Sequence, residues 1–228
     1  MKMKSHNMTF MLYLTAVFGM LYMLMSGTAV AETITGSAHD FSGRTYTGGA
    51  ICVTCHTPHG SDTTVSDAPL WNHTVTTQVY TVYSSPSLNA TVGQPSGVSK
   101  LCLSCHDGTV AVDSFGGVQG PGNTEFLVGP KAVGADGLNN DHPISFTFDS
   151  ALATADGALF DPSVKTVTIG SGAKTKTGTI TDVMLSGGTL QCSSCHDVHN
   201  NFTYAQSGSR LLRVTDAGSA ICLVCHDK

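Results

Sequence analysis

Ser99-Lys-Leu-Cys102-Leu-Ser-Cys105-His106-Asp-Gly-Thr-Val110 contains the pattern that decides how this chain folds: two cysteines three positions apart, then a histidine. The pattern stands again at Cys52-Val-Thr-Cys55-His56, Cys192-Ser-Ser-Cys195-His196 and Cys222-Leu-Val-Cys225-His226. The four copies use all eight cysteines. C-x-x-C-H spacing serves covalent haem attachment. Two thiols one helical turn apart each form a thioether to a porphyrin edge, and the adjacent histidine binds the iron from the proximal side. Four c-type haems are therefore expected, held by Cys52, Cys55, Cys102, Cys105, Cys192, Cys195, Cys222 and Cys225, with His56, His106, His196 and His226 on the irons.

Three other chemistries use paired cysteines. Disulfides are common in exported proteins, but they give no reason for a histidine after every second cysteine. Zinc sites gather four ligands in a tetrahedron, and two such sites could be drawn from these residues. Redox CxxC pairs occur mostly once per domain and need no following histidine. Four matches with no cysteine left over favour haem. Three residues before each first cysteine stand Gly49, Ser99, Thr189 and Ser219, all good helix N-caps, so each motif is expected on a short helix.

The second axial position of each iron needs another ligand. Seven of the eight methionines precede residue 26, which leaves Met184 as the one methionine able to serve. Outside the motifs and the N-terminal segment, the histidines are His39, His59, His73, His142 and His199. Bis-histidine ligation is the expectation, with low potentials and saturated irons, and one of the five is surplus. His59 and His199 each follow a motif histidine by three residues. Histidines one helical turn apart point to the same side, so each must reach a haem other than its neighbour's. That forces haems into close packing. His142 lies in a turn before Pro143, and His73 stands beside the single tryptophan, Trp71, whose ring suits a porphyrin face. His39 lies near the N-terminus expected after processing, where a mobile segment could reach a neighbouring subunit.

The chain has 228 residues. Lys2 and Lys4 precede an apolar run from Met8 to Met25, and Ala29-Val30-Ala31 follows, the layout of a cleaved signal peptide over residues 1–31. Residues 32–228 then form the tetrahaem cytochrome domain. No other apolar stretch is long enough to span a membrane. Without Lys2 and Lys4, nine basic side chains face 16 acidic ones, a formal charge of −7. That argues against nucleic acid or anionic membrane surfaces as partners. Large apolar side chains are sparse in this part of the chain, so it must fold around something apolar that it does not encode.

Successive first cysteines are 50, 90 and 30 residues apart. Residues 84–97 and 116–122 read as loops. Residues 143–186 read as a small β-rich insertion between the second and third motifs. There Ile144–Phe148 and Lys165–Ile169 alternate, and Gly170-Ser-Gly172 is a candidate turn before a strand over 175–183. Only Asp227 and Lys228 follow His226, which leaves the fourth haem as an exposed entry or exit point for electrons.

Ala38-His-Asp-Phe-Ser42, Ile51-Cys-Val-Thr-Cys-His-Thr-Pro-His59, Pro69-Leu-Trp-Asn-His73, Gln94-Pro-Ser-Gly97, Ser99–Val110 and Asn140-Asp-His-Pro143 together resemble exported multihaem cytochromes of metal-reducing bacteria. The likeness is to the tetrahaem outer-membrane cytochrome E type and spans about residues 38–226. It implies bis-histidine haems stacked in a chain, a mostly irregular fold, and head-to-tail subunits with a distal histidine donated across the interface. Such a contact does not close and makes filaments; His39 is the expected donor. The implied partners are other copies of the chain, redox partner cytochromes and extracellular acceptors such as metal oxides. A monomeric periplasmic or surface shuttle could share every motif. An enzyme reducing a small oxyanion would need an open iron, whereas histidines outnumber the open positions.

Overall fold

The computed structural model describes residues 34–116, 123–134, 137–204 and 210–228, all within one compact unit, Thr33–Lys228. The expected signal peptide and its cleavage site lie outside the described residues. Among the described residues no helix is long and apolar enough to cross a membrane.

Among the described residues most of the chain is turn and coil, with short helices and two small antiparallel ladders. Helix α1, Gly97–His106, is the longest of these helices and carries the whole second motif. Helices α2 (Ser150–Asp156), α3 (Ile180–Val183) and α4 (Cys192–Cys195) follow, and Cys222–Val224 forms a single 3-10 turn. The first motif has no helix, but the His56 amide donates to the Cys52 carbonyl at 2.8 Å. The same bond closes the third and fourth motifs, from His196 to Cys192 and from His226 to Cys222, both at 3.0 Å. The four expected caps do not act as such. Ser96 takes the N-cap position of α1 and Gln191 that of α4, while Ser99 stands inside the first turn and Thr189 inside a strand.

The ladders differ from the sequence expectation in register. Strand β1 (Phe146–Thr147) pairs with β4 (Thr189–Leu190), and β2 (Thr166–Ser171) pairs with β3 (Lys174–Thr179). The hairpin turn is Gly172-Ala173, not Gly170–Gly172, because Ser171 pairs with Lys174. Gly170 sits within the ladder at φ +83, where a Cβ would lie 2.0 Å from the Lys174 carbonyl oxygen. Beyond Thr179 the chain turns into helix. Asp182 and Thr179 form a reciprocal capping box, which satisfies amides that a helix start leaves open.

The largest apolar cluster joins Phe146, Phe148, Ile169, Ile180, Val183, Met184, Leu190 and Val224. Residues 143–186 are therefore no separate appendage: their core is shared with the approach to the third motif and with the fourth. Met184 is buried in it at 4 % exposure. Two smaller clusters, around Trp71 with Leu101 and around Tyr80 with Leu103 and Leu138, hold the two faces of α1.

Candidate haem sites

The first, third and fourth motifs are anchored by one repeated device. An antiparallel bridge joins His56 to Trp71, His196 to Leu212 and His226 to Leu159. On either side of each bridge a pair of backbone hydrogen bonds closes the contact: Thr57 to Leu70 and Asn72 to Cys55, Asp197 to Leu211 and Arg213 to Cys195, Asp227 to Ala158 and Phe160 to Cys225, all 2.8–2.9 Å. In the first and third straps the residue before the bridge, Leu70 or Leu211, takes a left-handed backbone at φ 53. That conformation is rare outside glycine, and its recurrence marks the two straps as equivalent. The sequence reading missed them, since the only shared signal is one leucine in Pro69-Leu-Trp71 and Arg210-Leu-Leu212.

The straps also orient the imidazoles. Nδ1 of His56 lies 2.8 Å from the Pro69 carbonyl oxygen, and Nδ1 of His196 lies close to that of Arg210 at 2.6 Å. Nδ1 of His106 lies 2.9 Å from the Lys131 carbonyl oxygen, and that of His142 lies 2.9 Å from Pro143. A carbonyl at Nδ1 holds the proton there, because it can only accept. Nε2 then keeps its lone pair, the arrangement a metal-binding histidine needs.

Three motif histidines each face a histidine from elsewhere. His56 faces His199 with ring centres 6.2 Å apart and planes at 18°. His106 faces His39 at 6.0 Å, and His226 faces His142 at 6.4 Å. An imidazole nitrogen binds a metal at about 2 Å and stands about 1 Å from its ring centre, so two rings sharing one metal have centres roughly 6 Å apart. The residues present thus fit a bis-histidine iron at three motifs. His39 supports the fit independently. Its Nδ1 is buried with no hydrogen-bond partner, and burial first, then the neighbouring His106, push its pKa down to about 4. It is neutral at ordinary pH, as a metal ligand must be.

Among the described residues the other two spare histidines face no motif histidine, although Nε2 of His73 lies 3.4 Å from the Cys105 sulfur of the second motif. His73 is 1 % exposed, and carbonyl oxygens meet both ring nitrogens, Thr74 at Nδ1 (2.8 Å) and Ala111 at Nε2 (3.0 Å). His59 is exposed. Among the described residues no histidine ring faces either His59 or His196.

The thiols are free in all eight positions. Burial pushes Cys55 and Cys195 up to about 11 and Cys225 up to about 12. Cys192 is the exception, lowered to about 7 with the neighbouring Cys102 as the first cause, the direction a redox CxxC pair shares. Among the described residues no three His, Cys, Asp or Glu side chains converge as a metal-ion cluster. The motifs also follow one another in space. Cys55 lies close enough to Cys105, Cys192 to Cys102, Cys222 to Cys195 and Cys195 to Cys225 to push the pKa of the second of each pair up.

No protein-family model matches the chain, and no curated protein matches it.

Proposed function

We propose that this chain is an exported tetrahaem c-type cytochrome that carries electrons and performs no chemistry on a bound substrate. The observation that carries this reading is the pairing of three CxxCH histidines with histidines from distant segments, at the spacing of a shared metal. The cysteine pairs hold the porphyrin edges. His56, His106, His196 and His226 are the proximal ligands, and His199, His39 and His142 the distal ligands of the first, second and fourth sites. Haem iron ligated on both sides supplies a reversible one-electron change and offers no open position to a substrate. The sequence of neighbouring thiols orders the sites as first, second, third, fourth, a single path through the subunit. His73 is the surplus histidine, because its buried ring is held against the Thr74 and Ala111 carbonyls and the Cys105 sulfur and faces no motif histidine among the described residues.

One motif histidine, His196, and one spare histidine, His59, then remain, and they do not face each other. The reading that joins them is a polymer in which His59 of one copy completes the third site of the next. His39, the donor expected from its place near the N-terminus, is the weaker candidate, since its ring already faces His106. Two different patches meet in such a contact, so it propagates without closing and forms a filament. The setting is extracellular or at the outer cell surface, with redox partner cytochromes and metal oxides as donors and acceptors.

The experiment is expression in a bacterium equipped for c-type cytochrome maturation. Four haems per chain by intact mass and pyridine haemochrome are expected, with fibres one subunit wide in negative stain. A product carrying no haem would overturn the whole reading. Monodisperse small particles with four haems would overturn the polymer and leave a soluble shuttle.

A further inference from the structure

Helices α1 and α4 carry the second and third motifs; Ser96 gives α1 no side-chain cap, and Gln191 and Ser194 form a reciprocal capping pair at the start of α4. A helix start leaves amides without intrahelical partners, and here each helix caps the other. The Ser99 amide, in the first turn of α1, donates to the Gln191 side-chain oxygen at 3.1 Å. In return the Cys192 amide, first in α4, donates to the Ser99 hydroxyl oxygen at 3.0 Å. Gln191 is held for this task. Its amide donates to the Ser194 hydroxyl at 2.9 Å, and its side-chain oxygen also accepts from the Ser145 hydroxyl at 3.2 Å. Ser99, Gln191 and Ser194 are 0, 4 and 1 % exposed. Water cannot replace these bonds, and a buried amide without a partner is costly.

The clamp sits where two attachment sites meet. The Cys102 and Cys192 sulfurs are neighbours, each perturbing the other's acidity. These two sulfurs belong to different motifs, so they bring the thioether edges of two porphyrins together. No comparable side-chain exchange links the first motif to the second, or the third to the fourth, among the described residues.

We propose that Ser99 and Gln191 are positioning residues that set the approach of the second and third haems, and with it the electronic contact at the middle of the path. The proposal rests on the tetrahaem reading above. It assigns the pair a role toward the cofactors without contact to either iron.

The test uses holoprotein carrying Ser99→Ala or Gln191→Met, substitutions that roughly keep volume and remove the acceptor oxygen on which the other helix's amide rests. Both variants are expected to retain four haems and bis-histidine spectra. Amide exchange at Ser99 and Cys192 should accelerate about tenfold, the change expected when one buried hydrogen bond is lost. The spin coupling between neighbouring ferric haems, read by electron paramagnetic resonance, should be lost for one pair of haems only. Gln191→Glu, which retains an acceptor oxygen, should restore it. Unchanged coupling in both variants would overturn the proposal. So would failure of both variants to attach the second or third haem, since the pair would then be a folding element alone. A wild-type protein without haem would overturn the parent reading instead and is scored separately by haemochrome.

Discussion

His142 and His226 face each other with ring centres 6.4 Å apart and planes at 77°, although one precedes the first strand and the other stands two residues from the C-terminal lysine. Each is held from its own side. The Pro143 carbonyl meets Nδ1 of His142, and the Leu159 bridge fixes the backbone of His226. Burial, then the neighbouring His142, lower the pKa of His226. His142 also lines a small apolar slot with Val82, Leu138 and Ile144.

This pairing predicts the effect of His142→Ala. The variant should keep four covalent haems, because no thioether is touched, and should open one iron. Carbon monoxide added to the reduced protein would then shift the spectrum of one haem in four, while wild type shows no shift. A wild-type spectrum in the variant would mean that His142 is not the ligand.

The spare histidines separate by the same logic. His59→Ala should abolish filaments and leave four attached haems, with the third site newly able to bind carbon monoxide. His39→Ala should open the second site within every subunit while fibres persist. Loss of fibres in His39→Ala with fibres retained in His59→Ala would reverse the assignment of the cross-subunit ligand.

Much of this was legible before any coordinates. The four CxxCH motifs, the scarcity of methionine and the surplus of histidine are local facts, visible because thioether and iron ligation demand particular atoms at short range. The hairpin over 166–179 was also legible, from its alternation and glycines. What stayed hidden depends on distant segments meeting. Nothing in Asp40-Phe41 or Arg210-Leu211 announces that the first follows a histidine facing His106, or that the second lies in a strap matching Pro69-Leu70. The N-cap expectation failed for a related reason: Ser99 has the right chemistry, but it caps another helix rather than its own.

His73 gives a prediction in which stability and ligation part company. Its ring is buried between the Thr74 and Ala111 carbonyls, so removing it leaves one carbonyl acceptor unpaired and a cavity beside Trp71. His73→Ala should lower stability by about 2–4 kcal/mol, seen as a lower thermal midpoint. All four haems should stay six-coordinate, with no response to carbon monoxide. A newly open iron would make His73 a ligand and return another histidine to the surplus.

Asp107 supplies the acid limb of the stability curve. Its side chain is 2 % exposed and accepts from the hydroxyls of Thr76 (2.6 Å), Tyr80 (2.7 Å) and Thr109 (2.8 Å), and from the Thr109 amide (2.7 Å). Burial alone would raise its pKa, but these donors outweigh burial and hold it below the ordinary 3.8. A carboxylate with a lowered folded pKa stabilises fully above its unfolded value, and the contribution disappears as pH falls through the folded one. Wild type should therefore lose stability below about pH 4. Tyr80→Phe should cost about 1–2 kcal/mol, and Asp107→Ala about 3 kcal/mol, because the bonds to a buried charge are the stronger kind. Asp107→Asn keeps the shape but removes the titrating group, so its thermal midpoint should start lower at neutral pH and fall less steeply in acid. Parallel curves for wild type and Asp107→Asn would show that the acid limb arises elsewhere, and the network around Tyr80 would then be a packing feature without a share in the pH response.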